Sequence, residues 1–277
     1  MRPSEMQRKI LIIDDYDDLA SSLSDVFSSA GHRVEVVENR EQAIADKDVD
    51  AYDIVITDLS SDQAAGHDVF AYSLPGTNGS CLPVFPAGEN GEHVKAFKFC
   101  ATNFRRDEFD EEELKQFVET VLNFKSRYLD TKEAVKKLHE KIEFELPSSI
   151  SPMHSILDYL LLRVEKLGGV CLQESNLFVA LDEAFVNAVK HGNKFNKEKL
   201  VRITAELSAK EASFTVEDEG EGFDVNSNPN PLDPENLFKA SGRGVLFIYN
   251  IMDEVKYNER GNRLTMVKKC SIENTTQ

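Results

Sequence analysis

Glu183 and Asn187 are the two residues whose types and spacing could do chemistry together. They are four residues apart, so on a helix both side chains project from the same face. A carboxylate can accept a proton, and an amide oxygen one turn away can bind a hard cation such as Mg²⁺. A Glu and an Asn at this spacing also occur by chance on surface helices, so the pair needs support from other segments.

The segment that carries the pair, residues 181–192, predicts one amphipathic helix. Its apolar residues recur at helical spacing and form a stripe on a different face from the polar pair. These residues are Leu181, Ala184, Phe185, Ala188 and Val189. The stripe predicts which side of the helix is buried.

Asp218 ends a strand-like run and is followed by two glycines, Gly220 and Gly222. Its carboxylate could accept a hydrogen bond from the amino group of adenine. The glycines lack side chains, so the base could lie against the backbone. The segment therefore predicts one half of a nucleotide site.

A second glycine turn, Gly242-Arg243-Gly244, opens an apolar helix. Backbone amides at a helix N-terminus bind phosphate, and an arginine adds a charged donor. The preceding residues 226–240 are polar, contain three prolines and lack periodicity, which is typical of a lid over a ligand.

Taken in order, these three segments resemble the nucleotide-binding boxes of the GHKL ATPase superfamily, which gyrase, histidine kinases and MutL share. Within it, residues 182–192 and the later Ile-Met-Asp-Glu-Val most resemble the anti-sigma-factor serine kinases. The resemblance covers residues 140–270 and implies a two-layer α/β sandwich over 141–277. It implies Mg²⁺ and ATP as cofactors, Glu183 as the catalytic base and Asn187 as the ligand of the ATP-bound Mg²⁺. The nucleotide-binding residues that it implies are Asn187, Asp218, Gly220, Gly222, Gly242, Arg243 and Gly244.

Three further carboxylates follow apolar runs in the first half of the chain. Asp14 and Asp15 end the run from Lys9, and Asp58 ends the run from Ala51. Strands alternating with helices predict a doubly wound sheet, in which ligands bind beyond the carboxyl ends of the strands. Carboxylates that converge there repel one another unless a cation binds them, so we expect a Mg²⁺ site. The alternative is a set of strand-end carboxylates exposed to water.

This half resembles a response-regulator receiver domain of flavodoxin-like fold, with Asp58 matching the phospho-accepting aspartate. The resemblance implies an upstream histidine kinase as a partner. The chain departs from the receiver pattern where Gly88 replaces a hydroxyl residue, and where Arg105 and Arg106 are the nearest cations to the expected lysine. A degenerate receiver that serves as a protein-docking module therefore stays open as an alternative.

Between the two halves, apolar residues follow a heptad that predicts a long helix from Glu111 to Glu140. Leu114, Val121, Tyr128 and Val135 lie seven residues apart. A coiled coil between two copies of the chain, and hence a homodimer, would explain the pattern. The predicted organisation is a receiver over 1–125, a connecting helix over 126–140 and an ATPase domain over 141–277.

Composition limits the partners. The net charge is −17, which argues against binding nucleic acid or an anionic membrane directly. The four cysteines are far apart and predict free thiols in a reducing cytoplasm. No apolar run reaches the length of a membrane span.

The leading hypothesis is a cytoplasmic signalling protein, a receiver-controlled ATP-dependent serine/threonine protein kinase. By resemblance its partner would be an anti-sigma-factor antagonist or a sigma factor. One alternative is a nucleotide-binding anti-sigma factor that sequesters its partner without significant kinase activity. A histidine-kinase-like enzyme is the other, although no phospho-acceptor helix pair precedes the ATPase segment.

Overall fold

The computed structural model describes residues 6–15, 17–39, 42–43, 48–62, 93–106, 109–127, 138–167, 176–223 and 243–269. The strands in these ranges are β1 (Lys9–Asp14), β2 (Arg33–Val37), β3 (Ile54–Asp62), β4 (His93–Cys100), β5 (Leu138–Pro147), β6 (Leu200–Leu207), β7 (Glu211–Asp218), β8 (Glu254–Tyr257) and β9 (Arg263–Lys269). The α-helices are α1 (Asp17–Ser29), α2 (Glu111–Arg127), α3 (Met153–Leu167), α4 (Leu177–Asn187) and α5 (Arg243–Ile251). Short 3₁₀-helices span Val49–Ala51 and Thr102–Arg106, and a π-helix spans Ala188–Gly192.

All nine described strands belong to one sheet, in the order β2-β1-β3-β4-β5-β6-β7-β9-β8. β1 is parallel to β2 and to β3, and its last residue, Asp14, lies beside Asp58. These three strands have the parallel pairing that a doubly wound sheet requires. The fold is thus a mixed α/β fold built on one large sheet.

β4 departs from the predicted receiver topology, because it runs antiparallel to β3. A flavodoxin-like receiver would continue with parallel strands, so this part of the prediction is wrong. The strand is amphipathic: Phe97 and Phe99 enter the core, whereas Lys98 projects from the opposite face. Gly88, which stands where the receiver pattern has a hydroxyl residue, lies outside the described residues.

β5 corrects the end of the predicted connecting helix. Residues 138–140 were expected to be helical, but they begin a strand that pairs in parallel with β4 and antiparallel with β6. Alternation decides this: Ile142, Phe144 and Leu146 face the core, a period of two that a helix cannot bury on one side. The division into receiver, linker and ATPase domain stays a prediction, but one sheet runs through both halves.

α2 buries the first part of the predicted coiled-coil seam within the chain's own core. Leu114, Phe117 and Val121 are all buried there, and the helix ends at Arg127. Tyr128 and Val135 lie outside the described residues. The heptad in α2 is therefore explained by packing against the sheet, and the coiled coil stays a prediction for the residues beyond it.

The larger of two hydrophobic clusters extends across the whole sheet and includes residues of all five described α-helices. A smaller cluster, which includes Leu11, Ile13 and Val55, lies on the other face of β1 and β3. α1 meets α2 where the rings of Phe27 and Phe117 lie 5.2 Å apart. The ring centroid of Phe97 in β4 lies 6.1 Å from that of Phe144 in β5 and 6.0 Å from that of Tyr159 in α3. Aromatic rings thus fill the junction between the two halves.

Cys100, at the end of β4, is disulfide-bonded. The other three cysteines lie outside the described residues. The prediction of free thiols is therefore wrong for Cys100. Among the described helices, none has both the length and the apolar character needed to cross a membrane.

Because both halves share a core, we expect a single cooperative unfolding transition. Phe144→Ala removes a ring that is 1% exposed, and it should lower the free energy of unfolding by about 3–5 kcal/mol. Urea unfolding should be followed by hydrogen exchange at the amides of β1 in the first half and of β9 in the second half. Both sets of amides should report the lower free energy of unfolding. Phe195→Ala is the matched control, because Phe195 is 54% exposed. Two separate transitions, only one of them shifted by Phe144→Ala, would contradict a shared core.

Candidate functional site

α4 carries the Glu183 and Asn187 pair, and its packing fixes where the pair projects. Leu181, Ala184 and Phe185 are buried, as are Ala188 and Val189 just beyond, which confirms the predicted apolar stripe. Glu183 and Asn187 are half-buried on another face. Directly after Asn187 the helix widens into the π-helix Ala188–Gly192, a feature common at functional sites.

Asp218, at the end of β7, lies beside the end of this helix. Its Oδ1 accepts a hydrogen bond from the Gly220 amide at 2.7 Å. Its backbone carbonyl accepts one from the Asn262 side-chain amide at 2.6 Å, and its own amide donates to the Asn262 carbonyl at 3.0 Å. Burial raises the pKa of the Asp218 carboxyl above its ordinary value, although the Gly220 amide acts in the opposite direction.

Gly192 and Gly220 allow the backbone to approach Asp218 closely. A Cβ on Gly192 would lie 2.3 Å from the Asp218 carboxyl carbon, and one on Gly220 would lie 2.3 Å from the Gly192 carbonyl oxygen. No side chain fits at either position, so the end of the helix and the turn after β7 form one unit. Sequence reasoning missed Gly192 as a site residue, because a glycine after a helix is also a common helix stop.

Gly222 was expected to leave room for the adenine base, but it packs against the backbone of Arg260. Its φ is +75°, and a Cβ there would lie 1.9 Å from the Arg260 carbonyl oxygen in the turn between β8 and β9. The Arg260 guanidinium also donates to the Gly220 carbonyl at 2.7 Å. The turn after Asp218 is therefore fixed by the β8–β9 hairpin.

Gly244 brings the start of α5 against the catalytic candidate. A Cβ at this position would lie 1.7 Å from the Glu183 Oε1 atom, so any side chain there would displace the Glu183 carboxylate. Arg243 is the first residue of α5. Gly242 and the predicted lid over 226–240 lie outside the described residues. The structure thus places Gly244 against Glu183 of α4, and it places Gly192 and Gly220 against Asp218 at the other end of the same helix. Asn187 lies between these two contacts along the helix.

Asn193 is a buried anchor that sequence reasoning missed. Its side chain accepts a hydrogen bond from the Glu219 amide at 2.9 Å and donates one to the Leu200 carbonyl at 2.8 Å. Its backbone amide donates to Ala188 at 2.8 Å. The π-helix, β6 and the residue after Asp218 therefore meet at one side chain. The available signal was a polar residue directly after the helix-ending glycine.

In the first half of the chain, Asp14 ends β1 and Asp15 follows it, but Asp58 lies at the middle of β3, which continues to Asp62. The prediction that Asp58 ends its strand is therefore wrong, and the three carboxylates contact different partners. Asp14 Oδ2 accepts from the Ala20 amide in α1 at 3.0 Å, and Asp15 Oδ2 accepts from the Ser60 amide at 2.7 Å. Asp58 forms an ion pair with Lys125 of α2. Burial raises the pKa of the Asp15 carboxyl, as does the charge of Asp58, whereas the Ser60 amide and Lys125 lower it.

A Mg²⁺ ion bound jointly by Asp14, Asp15 and Asp58 stays a prediction, and each of these carboxylates has a partner within the chain. Across the described ranges, no group of three or more His, Cys, Asp or Glu side chains could hold a metal ion. The cation beside Asp58 is the Lys125 ammonium, which sequence reasoning missed because Lys125 lies far along a helix. Arg105, one of the two cations expected near Asp58, instead contacts Glu198 and Glu219.

Comparison with known proteins places the similarity in the second half. Residues 147–268 match the family model described as histidine kinase-like ATPase domain. The chain is similar to the serine-protein kinase RsbW of Staphylococcus epidermidis, with 29% identity over 143 residues, or 48% of this chain and 89% of that protein. It is 32% identical over 98 residues to RsbW of Staphylococcus aureus strain JH9, which is 32% of this chain and 62% of that protein. The family match includes every candidate nucleotide residue and leaves out residues 1–146.

The raised pKa of Asp218 gives a pH-dependent prediction for stability. A raised pKa means that the folded protein binds this proton more tightly than the unfolded chain does. The resulting stabilisation is complete below the unfolded pKa and is lost as the pH rises through the folded pKa. The unfolding free energy of the wild type minus that of Asp218→Asn should therefore decrease between roughly pH 3 and pH 7.

Glu254→Gln provides a comparison of opposite sign, measured by urea unfolding at the same pH values. Lys269 and Lys256 lower the pKa of Glu254 through side-chain hydrogen bonds. The stabilisation from Glu254 is therefore lost as the pH falls, and its wild-type-minus-variant difference should increase with pH. Equal trends for the two variants would contradict the assignment for Asp218.

Proposed function

We propose that this protein is an ATP-dependent serine/threonine protein kinase that acts on a protein partner. The observation that carries the proposal is the contact of α5 with Glu183 at Gly244, within the region that matches the ATPase family model. The same helix that carries Glu183 ends against Asp218. A catalytic base, a cation ligand and an adenine acceptor therefore belong to one connected group of elements.

In this proposal the nucleotide lies between Asp218 and the start of α5. The Asp218 carboxylate accepts a hydrogen bond from the adenine amino group. Gly220 and Gly222 leave the turn without side chains. The phosphates meet the N-terminus of α5, with Gly242, Arg243 and Gly244 as donors.

Asn187 is the residue that would hold Mg²⁺ with ATP. The donor chemistry fits, because Mg²⁺ takes one or two protein oxygens and completes its shell with phosphate and water. When bound, the ion neutralises charge that develops on the phosphate oxygens. A single protein ligand is enough for such a site, so a cluster of carboxylates is not required.

Glu183 is the proposed general base. The partner's serine or threonine hydroxyl loses its proton to the Glu183 carboxylate as its oxygen bonds to the γ-phosphorus. The bond between that phosphorus and the bridging oxygen breaks, and ADP leaves. The close contact of Gly244 with Glu183 would hold the base at the phosphate end of the site.

The proposed partner is an anti-sigma-factor antagonist or a sigma factor in the cytoplasm. The relatives from both Staphylococcus species carry the name serine-protein kinase, which supports a serine as the acceptor. The acidic net charge of −17 also favours protein partners over nucleic acid. Sequestration of the partner without phosphotransfer is the competing function, and the next experiment separates the two.

Glu183→Gln should bind Mg-ATP like the wild type but lose phosphotransfer by about 10²–10⁴-fold, because an amide cannot accept the hydroxyl proton. Asp182→Asn, the neighbouring carboxylate on α4, is the matched control and should retain activity. The measurements are calorimetry for binding and labelled-phosphate transfer to a partner captured from the native cell. Equal turnover by Glu183→Gln and the wild type would remove the base assignment. Binding without transfer, even by the wild type, would leave the sequestering function.

We further propose that the first half of the chain is a receiver-like control module with Asp58 as its phospho-acceptor. Asp58 lies at the middle of β3, beside Asp14 of β1, with Asp15 nearby and the Lys125 ammonium paired to it. Phosphorylation would replace this ion pair and act on α2, which packs against α3. An upstream histidine kinase would supply the phosphoryl group, and Mg²⁺ would have to displace Lys125. Residues beyond Arg127 would supply a homodimer interface.

Incubation with acetyl phosphate and Mg²⁺ should give a slow adduct by intact mass, because Lys125 competes with the cation for Asp58. Lys125→Gln should form the adduct faster, whereas Asp58→Asn should form none. Lys115→Gln is the control, because Lys115 of α2 pairs with Glu112 of the same helix. If neither the wild type nor Lys125→Gln is modified, Asp58 is not a phospho-acceptor and a docking module is the better description.

A further inference from the structure

We propose that Arg105 is a positioning residue for the nucleotide site, so that the first half of the chain sets nucleotide affinity through an ion pair with Glu219. This inference rests on the proposed ATP site. The proposed contact joins the 3₁₀-helix after β4 directly to the turn after β7.

Arg105 is anchored firmly to the first half of the chain. It belongs to the 3₁₀-helix Thr102–Arg106, in which Phe104 is fully buried. The Asn103 side chain donates to the carbonyls of Asp50 at 2.7 Å and Tyr52 at 2.9 Å. The backbone that presents Arg105 is therefore fixed by the core and by two side-chain hydrogen bonds.

From this base the Arg105 guanidinium reaches the second half. It donates to the Glu198 carbonyl, and its Nη1 lies 3.6 Å from the Glu219 Oε2 atom. The same Oε2 accepts from the Leu200 amide at 2.9 Å, while Oε1 accepts from Arg202 Nη2 at 3.2 Å. The Glu219 carboxylate thus joins the start of β6 to the turn after β7, and Arg105 completes its set of donors.

Glu219 transmits this contact to the site because it directly follows Asp218. Its amide is held by the Asn193 side chain at 2.9 Å, and Asn193 follows the π-helix at the end of α4. Gly192 of that π-helix lies against the Asp218 carboxylate. A shift of Glu219 would therefore move the adenine acceptor relative to the helix that carries Glu183.

The ion pair belongs to a charged row across the polar face of the sheet. Lys98 pairs with Glu145 in β5, and Glu145 also pairs with Arg202. Burial alone would lower the pKa of Arg202, but Glu145 and Glu219 raise it above its ordinary value. The row gives Glu219 a cation on each side, Arg202 from β6 and Arg105 from the first half.

The expected effect is modest, because about a third of each side chain is exposed, 31% for Arg105 and 33% for Glu219. Exposed ion pairs are weak and are screened by salt. We expect Arg105→Gln to raise the dissociation constant for Mg-ATP by about twofold to fivefold. Its turnover at saturating ATP should match the wild type, because Glu183 and Asn187 are unchanged.

The experiment measures Mg-ATP binding by calorimetry for the full chain, at low salt and at about 1 M salt. Arg106→Gln is the matched control, since it removes the same charge from the neighbouring position of the same 3₁₀-helix. Glu219→Gln and the double variant complete a cycle, in which adding Arg105→Gln to Glu219→Gln should weaken binding no further. The differences should disappear at high salt. Thermal unfolding without ligand shows whether a variant is merely less stable. A variant with the wild-type unfolding temperature and weaker binding has lost the positioning of the site.

The outcomes are distinct. Weaker binding by Arg105→Gln with unchanged turnover, and wild-type binding by Arg106→Gln, would support the proposal. Equal affinity for the wild type and Arg105→Gln would overturn it, even if the unfolding temperature falls. A wild type that binds no Mg-ATP would overturn the proposed function, and this inference with it.

Discussion

The parallel pairing of β4 with β5 is the interaction on which the rest of the structure depends. It joins eight residue pairs, from His93 beside Leu138 to Cys100 beside Glu145. Without it, both strands would become edges of separate sheets, with rows of unpaired backbone amides and carbonyls. With it, β1 to β9 form one surface, and the helices of both halves cover it as one layer. The first half is therefore part of the architecture that supports the candidate site.

The two faces of this sheet differ because the strands around the junction alternate strictly. One face is apolar and lies under the helices, with Phe97, Phe144 and Ile203 in a common core. At the junction the other face carries Lys98, Glu145 and Arg202, which pair with one another in a row, whereas over β1 and β3 it holds a second apolar cluster. Burying charges costs free energy unless each has a partner, so this row forms only where the register brings opposite charges together. The same register places Arg105 near Glu219.

Glycine positions give the candidate site its geometry. Gly192, Gly220 and Gly244 each lie where a Cβ would clash with a carboxylate or with another glycine's backbone. The close approach fixes Asp218 against the end of the π-helix and Glu183 against the start of α5. Polar side chains such as Asn193 then satisfy the backbone groups that these turns leave without partners in the sheet. A kinase site requires this kind of preorganisation, because a base must be held in place before the phosphoryl group moves.

The sequence by itself determined the helix with Glu183 and Asn187, the strand that ends at Asp218 and the glycine turn at Gly244, because periodicity and glycine placement are local signals. It also indicated the order of these elements, which the family match supports. Only the tertiary structure decided that β4 runs antiparallel to β3, that residues 138–140 are a strand and that Lys125 pairs with Asp58. It alone placed Arg105 at Glu219 and Asn193 between three elements. These features depend on strand register and on contacts between distant segments, and spacing along one chain does not encode which strand edge or which charge a residue will meet.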